Sequence, residues 1–179
     1  MNNMTKEERI QKLRDLNIMG EDQIQKLDQM GFFTAPASTK YHGNYEGGLF
    51  DHSWKVMQAL VKLTDNNDLP WRSTHSPKVV GMFHDLCKCD QYIPITDPTD
   101  GSVTYKHNDK CLLKGHGEKS VMLLSQFFSL TEEEILCIRY HMGAYETDDW
   151  NEYDRAIRKY PNVLFTHTAD MIASKIVGV

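Results

Sequence analysis

The chain has no run of apolar residues near the roughly 18 that a membrane-spanning helix needs. Residues Met1 to Lys12 are polar and mixed in charge, with no apolar stretch of a secretion signal. Cysteine is scarce. Cys87, Cys89, Cys111 and Cys137 are the whole supply, and none stands in CxxC or zinc-finger spacing. They read as reduced thiols, buried or inert, in a cytoplasmic protein. Excess positive charge is also missing. A formal net charge of −5 leaves no broad basic face to grip duplex nucleic acid. It does not exclude a small anionic substrate in a local pocket. Internal repeats and low-complexity tracts are absent as well.

What is present fits an ordinary globular chain. Its 179 residues suit one domain with a short extension, and such a length buries roughly 70% of its unfolded surface. The unusual number is eight histidines. Histidine is both a metal ligand and an acid or base near neutral pH.

Helical patterning dominates. Thr5-x-x-Glu8 is a capping box ahead of Ile10, Leu13 and Leu16, and Ile24, Leu27 and Met30 mark a second helix ending at Gly31. Phe33 to Gly48 reads as an ordered loop. A long helix is expected from about Leu49 to Asp65, with Val56, Leu60 and Leu63 buried. Ser76-Pro77 reads as the cap and first turn of a helix running through Val80, Phe83 and Leu86. Tyr92–Ile95 and Ser102–His107 read as strands joined by a turn at Asp97–Gly101. A helix follows Gly115, another runs from the Thr131-x-x-Glu134 capping box to about His141, and Thr147–Tyr160 holds a short one. A last helix follows Pro161. The expected class is all-α with one hairpin at about residues 91–108. Residues 1–37 form an N-terminal helical extension packed on a domain spanning 38–179.

These segments each bring a histidine or aspartate to a suggestive place: His52, His84-Asp85, His116, His141 and Asp170. Mid-helix, His84 and Asp85 would need buried partners beside Val80, Phe83 and Leu86. A divalent cation satisfies imidazole and carboxylate together. Lys88, four residues after His84, suits a phosphate lying between lysine and metal. The His-Asp dipeptide alone is weak, since about 0.7 such pairs arise by chance in this composition. The full set carries the signal.

His52, His84-Asp85 and Asp170, in that order, resemble the His…His-Asp…Asp pattern of HD-domain metal-dependent phosphohydrolases. Gly47-Gly48-Leu49-Phe50-Asp51-His52-Ser53 resembles that family's approach to its first ligand. Phe83-His84-Asp85-Leu86-Cys87-Lys88 is similar to its His-Asp-Leu/Ile-Gly-Lys, with Cys87 in place of glycine. Lys114-Gly115-His116-Gly117, Arg139-Tyr140-His141 and His167-Thr168-Ala169-Asp170 resemble its later elements. By these motifs, over about residues 38–177, the chain is most similar to HD domains of YhaM-type 3′–5′ exoribonucleases. It has no room for their added OB-fold domain, which puts a polymeric RNA substrate in doubt.

The resemblance implies an all-α HD-domain bundle and one or two divalent ions (Mn, Fe, Ni, Co or Zn) on His52, His84, Asp85, His116, His141 and Asp170. Asp85 bridges if there are two. It implies hydrolysis of a phosphoester in a nucleotide or short oligonucleotide by metal-activated water, with Asp85 and Lys88 as catalytic groups. Two ions would raise the formal charge of −5 to −1. A diesterase and a monoesterase stay equally open, as does monomer against dimer. The competing readings are an HD-fold di-iron oxygenase, which shares the ligand set, and a non-catalytic metal-binding regulatory module.

Other residues carry plainer readings beside the functional ones. His42, Lys88 and Arg139 are candidate substrate contacts. A loop role suits His42 at least as well, and an ion pair suits Arg139, as it does Arg72 and Arg155. His167 shares a helix face with Asp170 and suits orienting a ligand as well as packing. His75 and His107 read as structural. Tyr41, Tyr45 and Tyr145 could stack on a base, though packing or loop anchoring suits each better.

Overall fold

The structure is a computed structural model that describes residues 4–143 and 150–178. It is mostly helical with one two-stranded antiparallel sheet, an all-α fold carrying a small hairpin. Among the described residues no helix is long and apolar enough to cross a membrane. The chain divides into two compact units. One holds the residues through His52 together with Lys88–Leu112, and the other holds Ser53–Cys87 and Leu113–Gly178.

The first unit opens with α1 (Lys6–Asp15) and α2 (Glu21–Gln29). The α1 capping box forms as expected: Thr5 Oγ1 accepts from the Glu8 N–H, and Glu8 accepts from the Thr5 N–H. Leu13, Ile24 and Leu27 are fully or almost fully buried. They join Phe32, Phe33 and Phe50, whose ring centroids lie 5.4–5.8 Å apart. Between α2 and α3 the chain is ordered without regular structure. Ala37 N–H donates to Gly43 C=O, Gly47 N–H to Thr34 C=O, and Ser38 Oγ to His42 C=O. Helix α3 (Gly48–Asn67) begins in this unit and continues into the other. Strands β1 (Tyr92–Thr96) and β2 (Val103–His107) complete the unit as a hairpin pairing Tyr92 with His107 and Thr96 with Val103.

The second unit packs α4 (Ser76–Phe83), α5 (Gly117–Leu124), α6 (Glu132–Arg139), α7 (Trp150–Lys159) and α8 (Asn162–Met171) with the body of α3. Helix α6 is the hub, packing on α4, α5 and α8. Val80, Met82, Phe83, Leu124, Ile138 and Val163 form its dry interior. Buried carboxylates at the start of α6 tie its neighbours together. Glu133 accepts from the Asn162 side chain (2.8 Å) and from the Arg72 N–H (3.0 Å). Glu134 closes the capping box with Thr131 and also accepts from Ser76 Oγ (2.8 Å). Ser76 therefore does not cap α4 as expected. Its hydroxyl reaches across to α6, and His75 stands at the cap position.

A second difference bears on the site. Helix α4 stops at Phe83, and Leu86–Cys89 tighten into a single 3₁₀ turn. His84 and Asp85 therefore stand at a helix end rather than mid-helix. The α-helical register that put Lys88 one turn beyond His84 does not apply.

Candidate metal centre

Four elements of the second unit each bring one part of the expected ligand set. His84 and Asp85 follow α4, His116 precedes α5, His141 follows α6, and Asp170 lies near the end of α8. His84 and His141 are fully buried, and Asp85 and Asp170 are buried. The ligating atoms of His84, His141 and Asp170 lie within 4.8 Å of one another, and so do those of Asp85, His116 and His141. The imidazoles pack closely, with ring centroids 4.8 Å apart for His84 and His141 and 5.1 Å for His116 and His141.

Hydrogen bonding sets the ring orientations. His84 Nδ1 donates to the Gly81 carbonyl (2.9 Å), and His141 Nδ1 donates to the Ile138 carbonyl (2.7 Å). A carbonyl only accepts, so each Nδ1 carries a proton, and each ring turns its Nε2 inward. The inward nitrogens face carboxylates. His84 Nε2 lies 3.5 Å from Asp85 Oδ2 and 4.0 Å from Asp170 Oδ1, and His141 Nε2 lies 3.3 Å from Asp85 Oδ1. Buried lone pairs facing carboxylate oxygens repel unless a proton or a cation lies between them. Imidazole nitrogens and carboxylate oxygens gathered in this way are the donor set of a transition-metal or zinc site. The residues present fit a divalent cation.

His116 Nε2 donates to Asp85 Oδ1 at 2.7 Å. Burial works against its charged form, but the Asp85 carboxylate, with a smaller push from Cys87, outweighs burial and moves the imidazole up to about 11. The two oxygens of Asp85 face different partners, Oδ1 toward His116 and His141 and Oδ2 toward His84.

His52 stands in the first unit, fully buried just after the first turn of α3, its ring 4.9 Å from that of His42. Lys88, also of that unit, is buried in the 3₁₀ turn. Arg139 is half-exposed and engaged elsewhere: Nε donates to Glu118 (3.2 Å), and the guanidinium lies over the Tyr140 ring. His167 Nδ1 donates to the His141 carbonyl (2.8 Å) and so holds the backbone of a site residue. His107 packs on Tyr92, Tyr41 is exposed, and Tyr45 anchors its loop by donating to Asp51. Tyr145 lies outside the described residues.

Two positioning features were not anticipated. Cys87, where the resembling motif has glycine, donates its N–H to Ser120 Oγ (3.1 Å), which ties the 3₁₀ turn to α5. Gly117 brings the start of α5 against the end of α6 so closely that a Cβ there would lie 2.7 Å from Arg139 Cα. The Gly-His-Gly triplet around His116 was the available signal for this approach. Comparisons with protein family models, curated proteins and solved structures returned no match to the chain.

Proposed function

We propose that this chain is an HD-type metal-dependent phosphohydrolase acting on a phosphoester of a nucleotide or short oligonucleotide. The observation that carries this reading is the pair of buried histidines, His84 and His141. Each donates its Nδ1–H to a backbone carbonyl and turns Nε2 toward Asp85 or Asp170. The motif resemblance supplies the reaction class.

In this reading His84, Asp85, His116, His141 and Asp170 hold one or two divalent ions, with His52 completing the set as the resemblance implies. When bound, the metal supplies Lewis-acid polarisation of phosphoryl oxygens and lowers the pKa of the attacking water. The split orientation of the two Asp85 oxygens suits a carboxylate that serves two ions. Lys88 supplies a fixed positive charge to the phosphoryl group. His42 borders the substrate beside His52, and Arg139, already paired with Glu118, is the weakest of the proposed contacts. His167 keeps His141 in place through its carbonyl.

The test is metal analysis of protein purified without chelator, followed by assays on bis-p-nitrophenyl phosphate and p-nitrophenyl phosphate. Metal-dependent hydrolysis, lost in His84→Ala and Asp85→Asn, is expected. Preference for the first substrate identifies a diesterase and preference for the second a monoesterase. Full activity in both variants, or iron-dependent oxygen consumption without hydrolysis, refutes the proposal.

A further inference from the structure

Cys87 stands where the resembling motif has glycine, and the proposed function gives its side chain no part. It is fully buried in the 3₁₀ turn after α4. The start of α5 grips it at two points. Its N–H donates to Ser120 Oγ (3.1 Å), and its thiol is hydrogen-bonded to the His116 imidazole. His116 and Ser120 are one helical turn apart, joined by the bond from the Ser120 N–H to the His116 carbonyl (3.1 Å), and so share a face of α5. The same imidazole donates from Nε2 to Asp85 Oδ1 (2.7 Å). Asp85 and Cys87, two residues apart, therefore both hold the His116 ring. All four residues belong to the second unit.

Helix polarity gives this thiol a task. A metal-ligating imidazole is oriented by a partner on its other ring nitrogen. His84 and His141 follow the C-terminal ends of α4 and α6, where carbonyls are in surplus, and each takes one from its own helix. His116 caps the N-terminus of α5, where the surplus groups are N–H donors. Its own helix thus offers donors where the ring needs an acceptor. A thiol sulfur accepts, though weakly, and Cys87 brings one within hydrogen-bond reach. Glycine at this position would bring none. We propose that Cys87 is a positioning residue of the metal centre, its sulfur accepting from His116 and holding that ring in a ligating orientation; this rests on the metal-binding reading above.

The metal-free full-length chain is titrated with Co²⁺, read by its visible d–d absorption, and its melting temperature is measured in parallel. Cys87→Ala removes the acceptor, and Cys87→Ser restores one. Cys137→Ala truncates an equally buried thiol on α6 that bonds Thr166. Cys87→Ala is expected to bind Co²⁺ about tenfold more weakly, the scale of losing a partner behind a metal ligand, and to shift the d–d band. Cys87→Ser is expected to recover most of both. Cys137→Ala is expected to lower the melting temperature and leave affinity and spectrum unchanged. Parental affinity and spectrum in Cys87→Ala overturn the proposal and leave the metal-binding reading intact; Cys87→Val, which keeps the bulk without an acceptor, decides if that variant does not fold. A loss in Cys87→Ser or in Cys137→Ala equal to that in Cys87→Ala also overturns it, because the effect then belongs to packing. So does a near-ultraviolet sulfur-to-cobalt charge-transfer band in the parent that Cys87→Ser loses, because Cys87 is then itself a ligand. Failure of the parent chain to bind Co²⁺ overturns both readings.

Discussion

Replacing Gly117 by alanine isolates the packing that holds His116 near His141. Propensity favours the change. Gly117 is the first residue of α5 and does not have positive φ, so a Gly→Ala exchange there should stabilise by about 0.4–1 kcal/mol. Packing opposes it. The new Cβ would meet the Arg139 carbonyl oxygen and lie 2.7 Å from Arg139 Cα, against 3.4 Å for ordinary contact. Both neighbours are backbone, so α5 and the end of α6 must separate by roughly 1 Å to reach ordinary contact. Overpacking of this kind costs about 1–3 kcal/mol. The net expectation is a loss of about 1–2 kcal/mol, or about 3–7 °C in melting temperature for a chain of this size. Metal ligands tolerate displacements of only about 0.2 Å, so Co²⁺ affinity should fall by more than the stability loss alone implies. Calorimetric melting of the metal-free protein and Co²⁺ titration of the folded protein measure the two effects separately. A Gly117→Ala protein that melts at or above the parent and binds Co²⁺ equally well refutes the claim that this close approach sets the ligand positions.

Other expectations follow from the same geometry. Asn162→Ala leaves Glu133 buried with one donor fewer and should cost about 1.5–3 kcal/mol in a denaturant titration. His84→Ala should lower metal-dependent hydrolysis by more than about 100-fold, beyond the loss expected for an outer partner. Helical circular dichroism should be retained. Chelation should lower the melting temperature of metal-loaded protein, by about 2.7 kcal/mol of stability where the metal stands at 100 times its dissociation constant. Re-addition should restore it. Tyr45 has its phenol pushed up to about 12, first by burial and then by Asp51. Because the folded value is the higher one, its contribution is intact below pH 10 and lost as the pH rises from 10 to 12. The stability difference between parent and Tyr45→Phe should therefore shrink across that range.

Much of the architecture was legible because it is local. Both threonine capping boxes, the apolar stripe of α3 and the strand–turn–strand pattern involve residues only a few positions apart, and the structure has them, except that Leu63 of the α3 stripe is only half-buried where Val56 and Leu60 are fully buried. The residues that gather in the second unit, His84, Asp85, His116, His141 and Asp170, stood in the sequence only as a list. Their packing was not legible there. Helix α4 stops before His84, and the turn that follows is tied from Cys87 to Ser120, 33 residues away. Ser76 reads as a cap until Glu134 competes for its hydroxyl from 58 residues away. The bidentate pair of Arg9 with Asp51, 42 residues away, has no local signal at all.

The ring bonds of His84 and His141 have a consequence for motion. A helix leaves its last carbonyls without partners inside the helix. Here the Gly81 and Ile138 carbonyls, near the ends of α4 and α6, accept from the imidazoles that follow them. Each histidine is thus a terminator of its own helix as well as a candidate ligand. Fraying of either terminus would swing the ring away, so ligand escape and end-fraying become one event. Amide exchange in the final turns of α4 and α6 would then slow as a cation fills the centre, while the distant turns of the same helices keep their rates.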